Sequence, residues 1–197
     1  MKLILNYTFF IILLIFLFAC DQKVEDKSNI YKEKVLLSEN EEINEALNIS
    51  FYIPHNYTKM PSSLKEKLVG RINKKGDDEF IFYVPNSYFY NDKNKSLFQV
   101  GIIKLKNIDS NDSLSIEKYI TIYKKFNNGL NIETSDLINT IIQIKQLKII
   151  KNKLMTFKFL FMNHNKEIIQ IDFSINQSYY GDVFPTVIAT IKSIKLL

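Results

Sequence analysis

The sequence predicts an α+β domain, an antiparallel sheet flanked by helices, behind an N-terminal export segment. Three observations carry this. Six stretches between Ile49 and Ile175 alternate apolar and polar residues with the period of a strand, and two others repeat apolar residues at the three-and-four spacing of a helix. An apolar run at the start of the chain ends at its only cysteine, Cys20.

That first segment reads Met1-Lys2, then apolar residues from Leu3 to Ala19 broken by Asn6-Tyr7-Thr8, then Cys20 and the polar Asp21-Gln22-Lys23. A short positive end, an apolar centre and a small residue before the break are the layout of a secretory signal. Leu17-Phe18-Ala19-Cys20 resembles the lipobox of bacterial lipoproteins. The resemblance implies that residues 1–19 are cut away, that diacylglycerol is attached to the Cys20 thiol, and that the protein stays on the exported side of a bacterial membrane. Two or three acyl chains hold stably, since each buried methylene contributes about 0.8 kcal/mol. An uncleaved signal anchor and an ordinary buried thiol are the alternatives, and all three readings imply export. One cysteine allows no internal disulfide, so the fold rests on its core.

Residues 20–48 read as an acidic, flexible tether: eight acidic residues stand against four lysines, with few large apolar side chains. Ser38-Glu39-Asn40-Glu41 is a capping signature that would instead start a short helix through Leu47. From residue 49 to 197 the balance reverses to 21 basic against 13 acidic residues, which marks the domain boundary. Nearly all the basic residues are lysine, and no basic-aromatic recognition motif accompanies them, so nucleic acid is not expected as a partner. Anionic lipid headgroups suit this charge better.

Within the domain, Ile49, Phe51 and Ile53 form a strand stopping at Pro54, and Phe80, Phe82 and Val84 another stopping before Pro85. Phe98, Val100 and Ile102 continue the alternation until it slips at Ile103 and Leu105, which predicts a bulge beside Gly101. Ile142 and Ile144 slip likewise to Leu147 and Ile149, predicting a bulge or bend near Gln146. Met155 to Phe161 and Ile169 to Ile175 form a hairpin around the turn Asn163–Lys166. Ile116, Tyr119, Ile120, Tyr123 and Phe126 mark a helix after the capping pair Asp112-Ser113, ended by Gly129. Val183 to Ile194 mark a second, with Asp182 as its cap and Pro185 in its first turn.

Ile49-Ser50-Phe51-Tyr52-Ile53-Pro54 with Asn56-Tyr57, and at the other end Tyr179-Tyr180 with Ser193-Ile194-Lys195, resemble the PsbP and Mog1 superfamily. The resemblance implies an α/β/α sandwich over residues 49–197 and a non-catalytic binding or assembly role.

Catalytic signatures are lacking. None of the five glycines lies in a phosphate-cradling loop or a nucleophile elbow. His55 and His164 fall in separate turns, and Asp77-Asp78-Glu79 lacks the spacing of a calcium loop, so no metal or cofactor is expected. Glu167 and Asp172 point to opposite faces of a regular strand, a poor acid and base pair. Lys145, Lys148, Lys151 and Lys158 read as a wet face. Tyr88 and Tyr90, in a loop-like stretch, and Tyr179 and Tyr180, in the turn before the last helix, are the candidate partner contacts. The expectation is therefore a lipid-anchored envelope protein with a non-enzymatic binding or scaffolding domain and an envelope protein as partner. A small-molecule or lipid carrier with an apolar pocket between sheet and helices is the alternative.

Overall fold

Successive strand residues point to opposite sides of a sheet, and here both sides are covered. The computed structural model describes residues 37–66, 81–105, 114–138 and 141–197. The export segment, Cys20, the acidic turn at residues 77–79 and the capping pair at residues 112–113 lie outside them. The elements are β1 (Leu37–Asn44), β2 (Ile49–Pro54), β3 (Thr58–Lys59), β4 (Ile81–Asn91), β5 (Ser96–Leu105), α1 (Ile116–Phe126), β6 (Asn131–Ile138), β7 (Gln143–Lys151), β8 (Leu154–Met162), β9 (Ile168–Asn176), α2 (Tyr180–Lys192) and β10 (Lys195–Leu196). A seven-stranded antiparallel sheet runs in the order β3-β4-β5-β9-β8-β7-β6, and a three-stranded one in the order β1-β2-β10. The α+β class read from the sequence is the class observed.

One face of the large sheet packs against α2 and β2. Its core includes Phe51, Phe89, Phe98, Phe157, Phe159, Phe161 and Phe173, all fully buried, with Val183, Val187 and Ile191 of α2 closing over them. The rings of Phe98 and Phe173 stack at 4.4 Å, and Phe51 meets Phe98 edge-on at 5.6 Å. Each such side chain contributes about 1.5–3 kcal/mol by burial. The other face lies under α1 and is smaller: Ile103, Ile116, Tyr119, Leu147, Leu160 and Ile168.

Two-sided burial accounts for both phase slips, and of the two predicted bulges only the one beside Gly101 is present. In β7, Ile144 faces the α2 side and Leu147 the α1 side, and β7 pairs with β8 and β6 without any shift in register. The apparent phase change near Gln146 is one regular strand with apolar residues on both faces. The irregularity near Gly101 lies instead on its neighbour. Pro85 pairs with Gly101 but Ser87 pairs with Val100, leaving Asn86 as the extra residue. β4 thus runs on through Pro85, whose missing N–H is accommodated at the bulge. A Cβ on Gly101 would sit 2.2 Å from the Val84 carbonyl oxygen and 2.6 Å from Pro85 Cα, so only glycine permits this close approach.

The tether reading fails over its last stretch. Leu37–Asn44 is a strand on β2, followed by a 3-10 turn at Glu45–Leu47, and neither a linker nor the capped helix forms. Its acidic residues meet cations far along the chain: Glu41 reaches Lys195 at 2.9 Å and accepts from the Ser50 hydroxyl at 2.7 Å, while Glu42 pairs with Lys59 at 2.8 Å. The helix ends differ too. Ser115 caps α1, its hydroxyl accepting from Lys118 N at 3.1 Å. α2 starts at Tyr180 without a side-chain cap, so Asp182 lies in its first turn and Pro185 beyond it. Among the described residues no helix is long and apolar enough to cross a membrane.

Candidate functional site

Polar side chains converge on the α1 face at the middle of β8 and β9. Hairpin register sets Lys158 opposite Asp172, and the Lys158 ammonium donates to Asp172 Oδ2 at 2.8 Å with both side chains almost buried. Gln170, two residues before Asp172 and so on the same face, donates from Nε2 to the same oxygen at 3.0 Å. Tyr119 of α1 donates its hydroxyl to Gln170 Oε1 at 2.7 Å, and Tyr83 of β4 donates to the Gln170 carbonyl at 3.3 Å. The rings of Tyr123 and Tyr83 face the ammonium at 5.3 and 5.8 Å from their centroids. Gly101, opposite Gln170 in register, leaves room for Tyr83, whose ring would lie 2.8 Å from any Cβ there.

This arrangement locks charge in place. Burial opposes the Lys158 charge, but Asp172 and Tyr123 beside it together outweigh burial and hold the ammonium above the usual lysine range. Burial pushes the Tyr83 hydroxyl well above its ordinary value, and the Asp172 carboxylate pushes it further. A general base or imine-forming lysine needs its affinity for the proton lowered toward neutrality. Both shifts here run the other way. The network fixes α1 on the sheet, and its chemistry is that of a structural polar core.

A surface hollow of about 390 Å³ opens at the N-terminal end of α1, lined by Ile116, Ile141, Ile142, Met162 and Leu196, with Ser115, Glu117, Gln143 and Lys145 among its polar groups. Ile141 is 74% exposed there. Lys145 is held by Asp136 at 2.7 Å, and that hydrogen bond raises its affinity for the proton.

The tyrosines singled out from the sequence separate. Tyr88 and Tyr90 are strand residues of β4, not loop residues: Tyr88 is buried, with Lys65 over its ring at 5.3 Å, and Tyr90 is half-buried. Tyr180 is half-buried, its ring 6.0 Å from Phe157 and 5.0 Å from Phe184. Tyr179 is exposed. His55 and His164 are exposed in separate turns, and among the described residues no three His, Cys, Asp or Glu side chains converge to hold a metal. Lys158 is a correction: its side chain is almost buried and paired, whereas Lys151 is exposed and Lys145 and Lys148 are partly covered, each in an ion pair. Sequence reasoning missed this pair although the hairpin announced it. Four residues back from Met162 and four on from Ile168, the turn-flanking pair, stand Lys158 and Asp172.

No family model matches the chain, and no curated protein matches it in sequence. Solved structures do. The chain is similar to cyanobacterial PsbP (CyanoP) from Synechocystis sp. PCC 6803, at 12% identity and a TM-score of 0.48 over 80% of this chain and 92% of that one. It is also similar to the Ran-binding protein Mog1p of Saccharomyces cerevisiae, at 7% identity and a TM-score of 0.45 over 81% of this chain and 96% of that one.

Proposed function

We propose that the chain is a lipoprotein of the bacterial cell envelope, exported, cut before Cys20 and held by lipid on that residue, whose domain is a non-catalytic binding and scaffolding module for another envelope protein. The observation that carries the binding role is the hollow at α1, an apolar patch with a highly exposed isoleucine at its edge on an otherwise well-packed domain. A carrier is less well supported. The space under α2, where an apolar ligand would sit, holds Phe157, Phe159 and Phe173 ring against ring, with Tyr180 and Phe184 packed on Phe157.

Ile141→Lys tests the contact. The side chain is exposed, so the melting midpoint should stay within a degree or so of wild type, while cross-links to the envelope partner in intact cells should fall at least tenfold, as loss of an interface anchor worth about 2 kcal/mol implies. Undiminished cross-linking would place the contact elsewhere. Cys20→Ser tests the anchor separately: acyl labelling and cleavage before that residue should both cease.

A further inference from the structure

One end of the large sheet gathers exposed apolar side chains and lysines. Lys151 pairs with Leu154 across the β7–β8 turn, Leu154 pairs with Asn176 at the end of β9, and the amide of Gln177 donates to the Lys153 carbonyl at 2.9 Å. Those contacts bring Lys151, Lys153, Leu154 and Tyr179 to one place. Asn131, the first residue of β6, pairs with Ile150, so the turn leading back to Phe126 and to Lys124 and Lys125 ends beside them. Phe126 is 68% exposed, Leu154 49% and Tyr179 41%, so three of the large exposed apolar side chains lie toward the same end of the sheet. Among the described residues none of the four lysines is in an ion pair, whereas Lys145, Lys148 and Lys158 of the same sheet all are. Lys124 donates to the Thr134 hydroxyl at 3.3 Å. Of the carboxylates toward this end, Asp182 lies in the first turn of α2 and Glu133 of β6 is paired with Lys148.

We infer that this end of the sheet rests on an anionic lipid surface. The complementary charge is phosphate, and the apolar tips enter the boundary between headgroups and acyl chains while the lysines reach the phosphates above it. A protein partner fits less well, because lysine is depleted in protein interfaces and all the cations here are lysine. The inference deepens the reading of the chain as membrane-held: the domain stands on this end, and the hollow at Ile141, beside the other end of β7, faces away from the bilayer.

The chain has no tryptophan, so a single one introduced at Phe126, Leu154 or Tyr179 reports on this end alone. Full-length chains carrying Phe126→Trp, Leu154→Trp or Tyr179→Trp, and Ile43→Trp as a control, are mixed with vesicles of phosphatidylcholine alone or with phosphatidylglycerol. Ile43 is 60% exposed, one residue from the Asn44 that begins the opposite turn. Emission from the three patch positions should move to the blue and be quenched by brominated acyl chains with phosphatidylglycerol, with Ile43→Trp unchanged. Replacing Lys124, Lys125, Lys151 and Lys153 with glutamine should return the emission to its value in water, since each lysine near such a surface strengthens binding roughly fivefold. Patch tryptophans as wet as the control on phosphatidylglycerol vesicles would overturn the inference. Flotation reports the tether independently: a chain that floats on phosphatidylcholine alone with wet patch tryptophans is anchored without the patch. One that floats only on phosphatidylglycerol with blue-shifted emission has the patch without the anchor.

Discussion

Under α2, Phe98, Phe159 and Phe173 of three adjacent strands pack ring to ring. On the opposite face, one residue along each of β8 and β9, Lys158 and Asp172 bind each other beneath the tyrosines of α1. The two faces share a backbone and differ in what specifies them. Apolar contacts are non-directional, and a core of sufficient volume tolerates many arrangements. The polar cluster accepts one geometry: Gln170 must donate from its side-chain Nε2 to Asp172 while its side-chain Oε1 accepts from Tyr119, and the bond to Tyr119 fails if α1 slides by a turn. The dry face supplies most of the stability, and the polar face sets the position of the helix beside the hollow.

The largest effect expected from a single substitution is on the dry face. Phe173→Ala removes a fully buried ring that contacts Phe98, Tyr57 and Phe159, and should cost about 3–5 kcal/mol in urea unfolding. A loss below about 1 kcal/mol would mean that the rings are loosely packed.

On the polar face the comparison sharpens through a cycle. Asp172→Ala leaves the Lys158 ammonium buried without its counter-charge and should cost about 3 kcal/mol. Lys158→Met with Asp172→Leu removes both charges and should recover most of that loss, because well-packed apolar residues often replace a buried pair at little cost. Equal destabilisation by the single and double variants would mean that the pair is a net source of stability.

How far the sequence foretold these faces follows from the range of the interactions. The β8–β9 hairpin is local: its turn and its two apolar stripes lie within Met155 to Ile175, and the hairpin forms as expected, with Met162 opposite Ile168. β1 is not, because its acidic residues look solvated until Lys59 and Lys195 arrive from elsewhere. Alternation alone cannot tell a bulge from a strand buried on both sides: the slip at Gly101 does have a bulge beside it, carried by β4, whereas the slip at Gln146 has none, and a strand breaker at Pro85 hides the second half of β4 with Tyr88 and Tyr90. Lys158 was concealed by lysine's usual place at the surface.

The smallest effect is the dependence on pH, and it too separates the faces. In the unfolded chain tyrosine ionises near pH 10. Folding holds the Tyr83 hydroxyl protonated well past that point, through burial first and Asp172 second, and it holds the Lys158 ammonium past its own ordinary value. Above about pH 10 the unfolded chain therefore binds fewer protons than the folded one, and the slope of unfolding free energy against pH is negative. The stabilisation is whole below the unfolded values and fades as pH rises through the folded ones. On the dry face, Tyr57 is raised by burial too, but its hydrogen bond with Ser96 acts the other way. Urea unfolding from about pH 8 to about pH 11 should show stability falling along the upper part of that range. Tyr83→Phe, with no proton to lose, should flatten the fall more than Tyr57→Phe does; if the two variants flatten it equally, the charge locked under α1 has no greater hold on its tyrosine than ordinary burial has on the other face.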